Sequence, residues 1–124
     1  MKKNLLQDKR VHEGIAYIKS TFSNTIITIS DKQGNCLTWA TGGSSGFKGP
    51  RRGSAYAAQA SAEIVSKKIK DAGINSLVVE VQGFGDGREA AIRGLASHGI
   101  RISSVRDSTA VSHGGCKLPK KRRL

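Results

Sequence analysis

Residues 78–95 read VVEVQGFGDGREAAIRGL: an apolar run breaks into the alternating glycines Gly83, Gly85 and Gly87, and then into a helical pattern. Strand, glycine turn and helix N-terminus in that order form the grammar of a phosphate-binding turn. The glycines expose backbone N–H groups and the helix adds the positive end of its dipole. The spacing is G-x-G-x-G rather than G-x-G-x-x-G, and Asp107 is the only acid after Glu89, so no carboxylate follows at the distance that would hold a ribose. A dinucleotide site is therefore disfavoured. A tight turn without a ligand remains, as does a backbone phosphate of RNA or DNA, which Arg88 on the first helical turn favours.

Working outward, SLVVEV (76–81) reads as a strand covered on both faces. Asp86 followed by Glu89 resembles a capping box for a helix that stops at Gly99, and IRISSV (100–105) is the last strand. Upstream, Ala58, Ala62, Val65, Ile69 and Ala72 fall at helical spacing from Ser54 onward, with Gly73 as the stop signal. IAYIKS (15–20), TIITIS (25–30) and CLTWAT (36–41) are β-branched runs separated by the turns TFSN and DKQGN, an antiparallel meander. Residues 42–53, GGSSGFKGPRRG, form a basic loop too rich in Gly and Pro for regular structure. The order is βββαβαβ, a single α/β domain with a mixed sheet and helices packed on it. Basic arms at 1–13 and 107–124 flank a core at 14–106.

Charge narrows the function class. The chain has 124 residues, with 21 Lys+Arg against 9 Asp+Glu, a formal net charge of +12. Such an excess opposes a compact state unless a polyanion neutralises it. The basic residues also cluster where acids are missing: Lys48, Arg51 and Arg52 within 46–62, and Lys117, Lys120, Lys121, Arg122 and Arg123 at the end. Lys2, Lys3, Lys9 and Arg10 add a third cluster. A solvated surface mixes its signs, so the pattern points to nucleic acid ahead of an anionic membrane. No run reaches membrane-spanning length, and the first residues lack a signal-peptide core. Cys36 and Cys116 make no disulfide framework, which suits a reducing compartment.

Catalytic and metal motifs fail on inspection. GGSSG (42–46) fits the nucleophile elbow with Ser44 in place, yet FKGPRRG intervenes before any helix, and nothing orders His98 or His113 with an acid around it. HGGC (113–116) supplies His113 and Cys116 but no further ligands for a four-coordinate zinc. The acids form no cluster for two-metal chemistry. We expect no enzyme activity, no catalytic residue, no cofactor and no metal. Phe47 stacks on a base or anchors the loop; KLPKKRRL orders on a partner or imitates a nuclear localisation signal.

Taken together, FSNTIITISDKQGN, WATGGSSGFKGPRRGSAYAAQ, GFGDGREAAIRGL and HGGCKLPKKRRL resemble, in order and spacing, the bacterial-type small-subunit ribosomal protein eleven family, from about Gly14 to Leu124. The resemblance implies a ribonuclease-H-like sheet without catalysis, on the platform of the small subunit near the decoding region and the messenger exit path. It implies small-subunit rRNA as partner, with small-subunit proteins seven and eighteen, initiation factor three and messenger RNA as neighbours. No membrane and no small-molecule substrate are expected. Its RNA-facing elements fall on Ser23 and Asn24, on Lys48, Arg51 and Arg52, on Arg88, and on Lys117, Lys120, Lys121, Arg122 and Arg123. The chain departs from the family at Phe84 and Asp86, where Pro-rich turns are usual, and at Ala110, Ser112, Gly114 and Leu118, which replace Pro, Pro, Asn and Pro. The lost prolines leave the tail less constrained, and Gly114–Gly115 has no isoaspartate route. Such drift hints at an organelle, plastid or mitochondrion, beside the bacterial cytoplasm. A nuclease on a related fold and a free nucleic-acid chaperone are the rival classes.

Overall fold

The computed structural model describes residues 13–123, so the expected N-terminal basic arm, Glu13 apart, lies outside the described residues. Alternation of apolar and polar side chains builds the first hairpin, β1 (Glu13–Ser20) and β2 (Thr25–Ser30). Ala16, Ile18, Ile27 and Ile29 point one way and are buried. β3 (Cys36–Thr41) completes the antiparallel meander, with a bulge between Ile29 and Ser30 of β2 as they pair with Thr38 and Cys36. The β2–β3 turn closes on Asp31, whose Oδ1 accepts from the N–H groups of Gln33 and Asn35 at 2.9 Å each. Gly34 takes φ +95° there.

The loop expected to lack regular structure contains one short element, a 3-10 turn at Gly49–Gly53 that starts at a proline-compatible position. Helix α1 (Ala55–Asp71) follows at once. Its N-cap Ser54 uses one hydroxyl twice, accepting from Ala57 N–H at 3.2 Å and donating to the Arg51 carbonyl at 2.7 Å. The chain leaves the helix through Ala72 and then Gly73, φ +88°, the stop its sequence predicts. β4 (Ser76–Gly83), α2 (Gly87–Ser97) and β5 (Arg101–Asp107) complete the chain's regular structure among the described residues.

The sheet order is β3-β2-β1-β4-β5, with β2 antiparallel and β1 parallel to β4, which is parallel to β5. β3, β1, β4 and β5 therefore run the same way. Both helical crossovers, β3 to β4 and β4 to β5, move across the sheet in one direction. With the same right-handed sense they place both helices on one face. This corrects the expected double coverage of β4. Leu77, Val79 and Val81 are buried under the helices, while Val78 and Glu80 on the other face are only half-buried. That open face carries Trp39, Thr28, Tyr17, Glu80 and Arg106 in one row across the strands.

The core lies between the sheet and the helices: Ile18, Ile27, Ile29, Val65, Ile69, Leu77, Val79, Val81 and Leu95. Each such side chain contributes on the order of 1.5–3 kcal/mol through burial. The helices approach closely because their contact is made of small residues. A β-carbon on Gly94 would lie 2.7 Å from Ala62 Cβ, and one on Gly87 would lie 2.9 Å from Ala58 Cβ. The expected Asp86–Glu89 capping box does not form, since Asp86 sits in helical conformation and makes no side-chain cap bond. Strand β5 runs two residues past its expected end, to Asp107, and Ser108 N–H continues the ladder to the Val81 carbonyl at 2.9 Å.

Candidate nucleic-acid interface

Because β1, β3, β4 and β5 are parallel, their C-terminal ends meet at one pole of the sheet. The β1–β2 turn, the 42–53 loop, the Gly83–Gly87 turn and the start of the tail all emerge there. Glycines clamp these loops together. A β-carbon at Gly83 or Gly85 would collide with the backbone of Ser20 or Thr21, and one at Gly87 with Thr25 Oγ1. On the other side of the same turn, Gly53 lies against the Phe22 carbonyl, and a β-carbon at Gly42 would meet Asn24 Oδ1 at 2.9 Å. The alternating glycines thus face inward onto the β1–β2 turn. They are a packing device for three loops and do not form an open cradle around a phosphate.

The expected site residues divide into four groups. Ser23 is exposed at the tip of the β1–β2 turn, with its Oγ 3.3 Å from Thr21 Oγ1. Asn24 is half-buried and works within the turn, its Oδ1 accepting from Thr25 N–H at 2.8 Å. The basic loop is different. Lys48, Arg51 and Arg52 are all exposed, and none has an acidic partner among the described residues. Arg52 Nε donates to the Gly49 carbonyl at 3.3 Å, which orients its guanidinium without neutralising it. Phe47 anchors this loop edge-on against Tyr56, ring centroids 5.6 Å apart. Gly46, Phe47, Lys48 and Arg51 line an open depression of about 440 Å³.

Arg88 has internal partners. Its Nη2 donates to Asp107 Oδ2 at 2.5 Å and its Nη1 to the Gly83 carbonyl at 2.9 Å. Asp107 in turn accepts from Thr109 through both the side chain and the backbone, and Thr109 Oγ1 accepts from Gly83 N–H at 3.1 Å. These bonds, Thr109 first and Arg88 after it, lower the Asp107 carboxyl from its ordinary 3.8 to about 2. Arg88 therefore ties the glycine turn to the root of the tail. Beyond that root, residues 110–123 are exposed and include Lys117, Lys120, Lys121, Arg122 and Arg123, without ion pairs among the described residues.

Ser44, in the nucleophile position of the elbow pattern, closes a turn: its Oγ accepts from Thr41 N–H at 2.8 Å and sits 3.0 Å from the Thr41 carbonyl, to which it donates. No group of three or more His, Cys, Asp and Glu side chains gathers among the described residues. Sequence reasoning passed over Phe22, 82% exposed, and named Phe84, 66% exposed, only as a departure from the family's turn. In the sequence Phe22 is one apolar residue in a turn. Only its exposure in the folded chain shows that the ring has no core to enter.

A family model described as "Ribosomal protein S11" matches residues 14–123. Proteins named "Small ribosomal subunit protein uS11" are similar over most of the chain. The one from Aromatoleum aromaticum is 50% identical over 116 residues, 94% of this chain and 90% of that protein. The one from Polynucleobacter asymbioticus is 50% identical over 94% of this chain and 86% of its own length, and that from Methylibium petroleiphilum 49% over 94% and 87%. These relatives are bacterial and lend no support to a plastid or mitochondrial origin.

Proposed function

The chain belongs to the ribosomal protein S11 family and is a constituent of the small ribosomal subunit, and from that premise we propose that it binds small-subunit rRNA through the pole where its parallel strands end. The observation that carries this reading is the convergence there of Lys48, Arg51 and Arg52, unneutralised, with the root of the basic tail. Phosphate neutralisation and shape supply the affinity, because duplex RNA hides its base edges in a deep groove. The family is one of structural proteins, and the protein acts without catalysis. It lies on the platform near the decoding region and the messenger exit path of a bacterial cytoplasmic ribosome. Small-subunit proteins seven and eighteen border it, and initiation factor three and messenger RNA pass close by.

The globular unit of residues 14–106 is held on the RNA by the 107–124 tail. Deleting residues 117–124 removes Lys117, Lys120, Lys121, Arg122 and Arg123 and leaves every described strand and helix intact. The truncated chain keeps its circular dichroism spectrum and loses occupancy of small subunits when extract is sedimented at rising salt. Unchanged occupancy at all salt concentrations refutes the tail's role. Release of the full-length chain into the free fraction at low salt favours a loosely bound nucleic-acid chaperone.

A further inference from the structure

We propose that the exposed rings of Phe22 and Phe84 form a stacking platform for unpaired RNA bases, so that this pole takes up a locally single-stranded segment and not only duplex phosphates. The proposal deepens the rRNA-binding reading and rests on it.

Two large aromatic side chains stand in water on adjacent loops. Phe22 is 82% exposed and Phe84 66% exposed, so neither contributes to the core. Their backbones are nonetheless held firmly. Gly85 N–H donates to the Ser20 carbonyl at 3.3 Å, Thr21 N–H donates to the Asn24 carbonyl at 2.8 Å, and the glycines on either side admit no β-carbon. The rings are presented by a rigid frame, which limits the entropy lost when a base stacks on them.

Charge at this pole selects the part of the nucleotide that arrives. Lys48, Arg51 and Arg52 lie on the loop that touches the Phe22 side of the turn, through Gly53 and Gly42. On the Phe84 side, Asp86 is exposed, makes no helix cap and has no partner among the described residues. A carboxylate there repels phosphate, while a neutral base is unaffected and offers amino groups that the carboxylate accepts. An RNA strand with its phosphates on the basic loop and its bases turned toward Phe22 and Phe84 satisfies both sides. An apolar protein segment would leave the three cations uncompensated. Base-on-aromatic stacking of this kind is insensitive to sequence, since every base has a π-face.

The test uses the full chain and a short RNA strand carrying 2-aminopurine, with a blunt duplex of the same length as competitor. Stacking on the rings quenches the fluorophore. Phe22→Ala with Phe84→Ala abolishes the quenching and weakens single-strand binding about tenfold per ring. Phe22→Tyr with Phe84→Tyr retains both properties. The exposure of the two rings means that the alanine variant keeps its fold, which circular dichroism checks. Quenching by the alanine variant equal to that of the wild type overturns the proposal, as does a duplex that competes as well as the strand. Co-sedimentation of the same variants with small subunits is read separately. Wild type that binds subunits without quenching sinks the platform alone, whereas wild type that fails to bind subunits sinks the rRNA reading itself.

Discussion

Gly85→Ala distinguishes the two roles a glycine turn can have. The backbone of Gly85 is outside the left-handed region, so alanine meets no conformational penalty of its own. The obstacle is space: the added methyl would fall closer than 3.0 Å to the Thr21 carbonyl oxygen and Ser20 Oγ. Overpacking costs about 1–3 kcal/mol where side chains can yield, and here the principal neighbour is backbone. Displacing the turn also strains the Gly85 N–H bond to the Ser20 carbonyl, on the order of 1 kcal/mol more. A destabilisation of about 3–4 kcal/mol follows, which for a domain of this size lowers the melting temperature by roughly 10–15 °C. Gly43→Ala is the control, since its nearest neighbour would be Arg52 Cδ at 3.5 Å, and the expected change is within about 0.5 kcal/mol. Calorimetry and urea titration of both variants measure the difference. If Gly85→Ala melts with the wild type and loses only RNA affinity, the glycines serve to present N–H groups to a phosphate, and the packing argument is refuted.

Two further outcomes concern the frame of the pole and of α1. Asp107 titrates lower in the folded chain than its ordinary 3.8, at about 2, so it stabilises the fold above about pH 4 and that contribution fades as the pH falls toward 2. Asp107→Asn should flatten this segment of the acid-unfolding curve followed by circular dichroism; a curve superimposable on the wild type counts against the Arg88–Asp107–Thr109 tie. Ser54→Ala removes the hydroxyl that accepts from Ala57 N–H and donates to the Arg51 carbonyl, and should cost about 1 kcal/mol in urea unfolding. No change in midpoint would mean that water replaces the cap.

Local pattern carried much of the fold. The alternation in β1 and β2, the alanine-rich stripe of α1 and the Gly73 stop are properties of neighbouring residues, and each element stands where its sequence places it. The exceptions need distant partners. Val78 reads as buried because its neighbours are apolar, yet both crossovers put the helices on the opposite face, and the crossover sense is a property of the whole sheet. Asp86 and Glu89 have the spacing of a capping box, but Asp86 is already helical in its backbone and its side chain makes no cap bond. The site shows the same division. Lys48, Arg51 and Arg52 were legible as free cations because acids are missing around them in sequence. Arg88, on α2, was not, because its acid lies 19 positions away at the end of β5.

By itself the sequence determined the inventory: five strands and two helices, three acid-poor basic segments, and glycines at 42, 53, 83, 85 and 87. Composition and short-range spacing suffice for that, since propensity and periodicity act over a few residues. Only the tertiary structure decided that these segments share one pole, that the glycines face the β1–β2 turn, and that Phe22 and Phe84 are left in water. Those facts follow from four strands running parallel, a relation between residues far apart in the chain that no local pattern encodes.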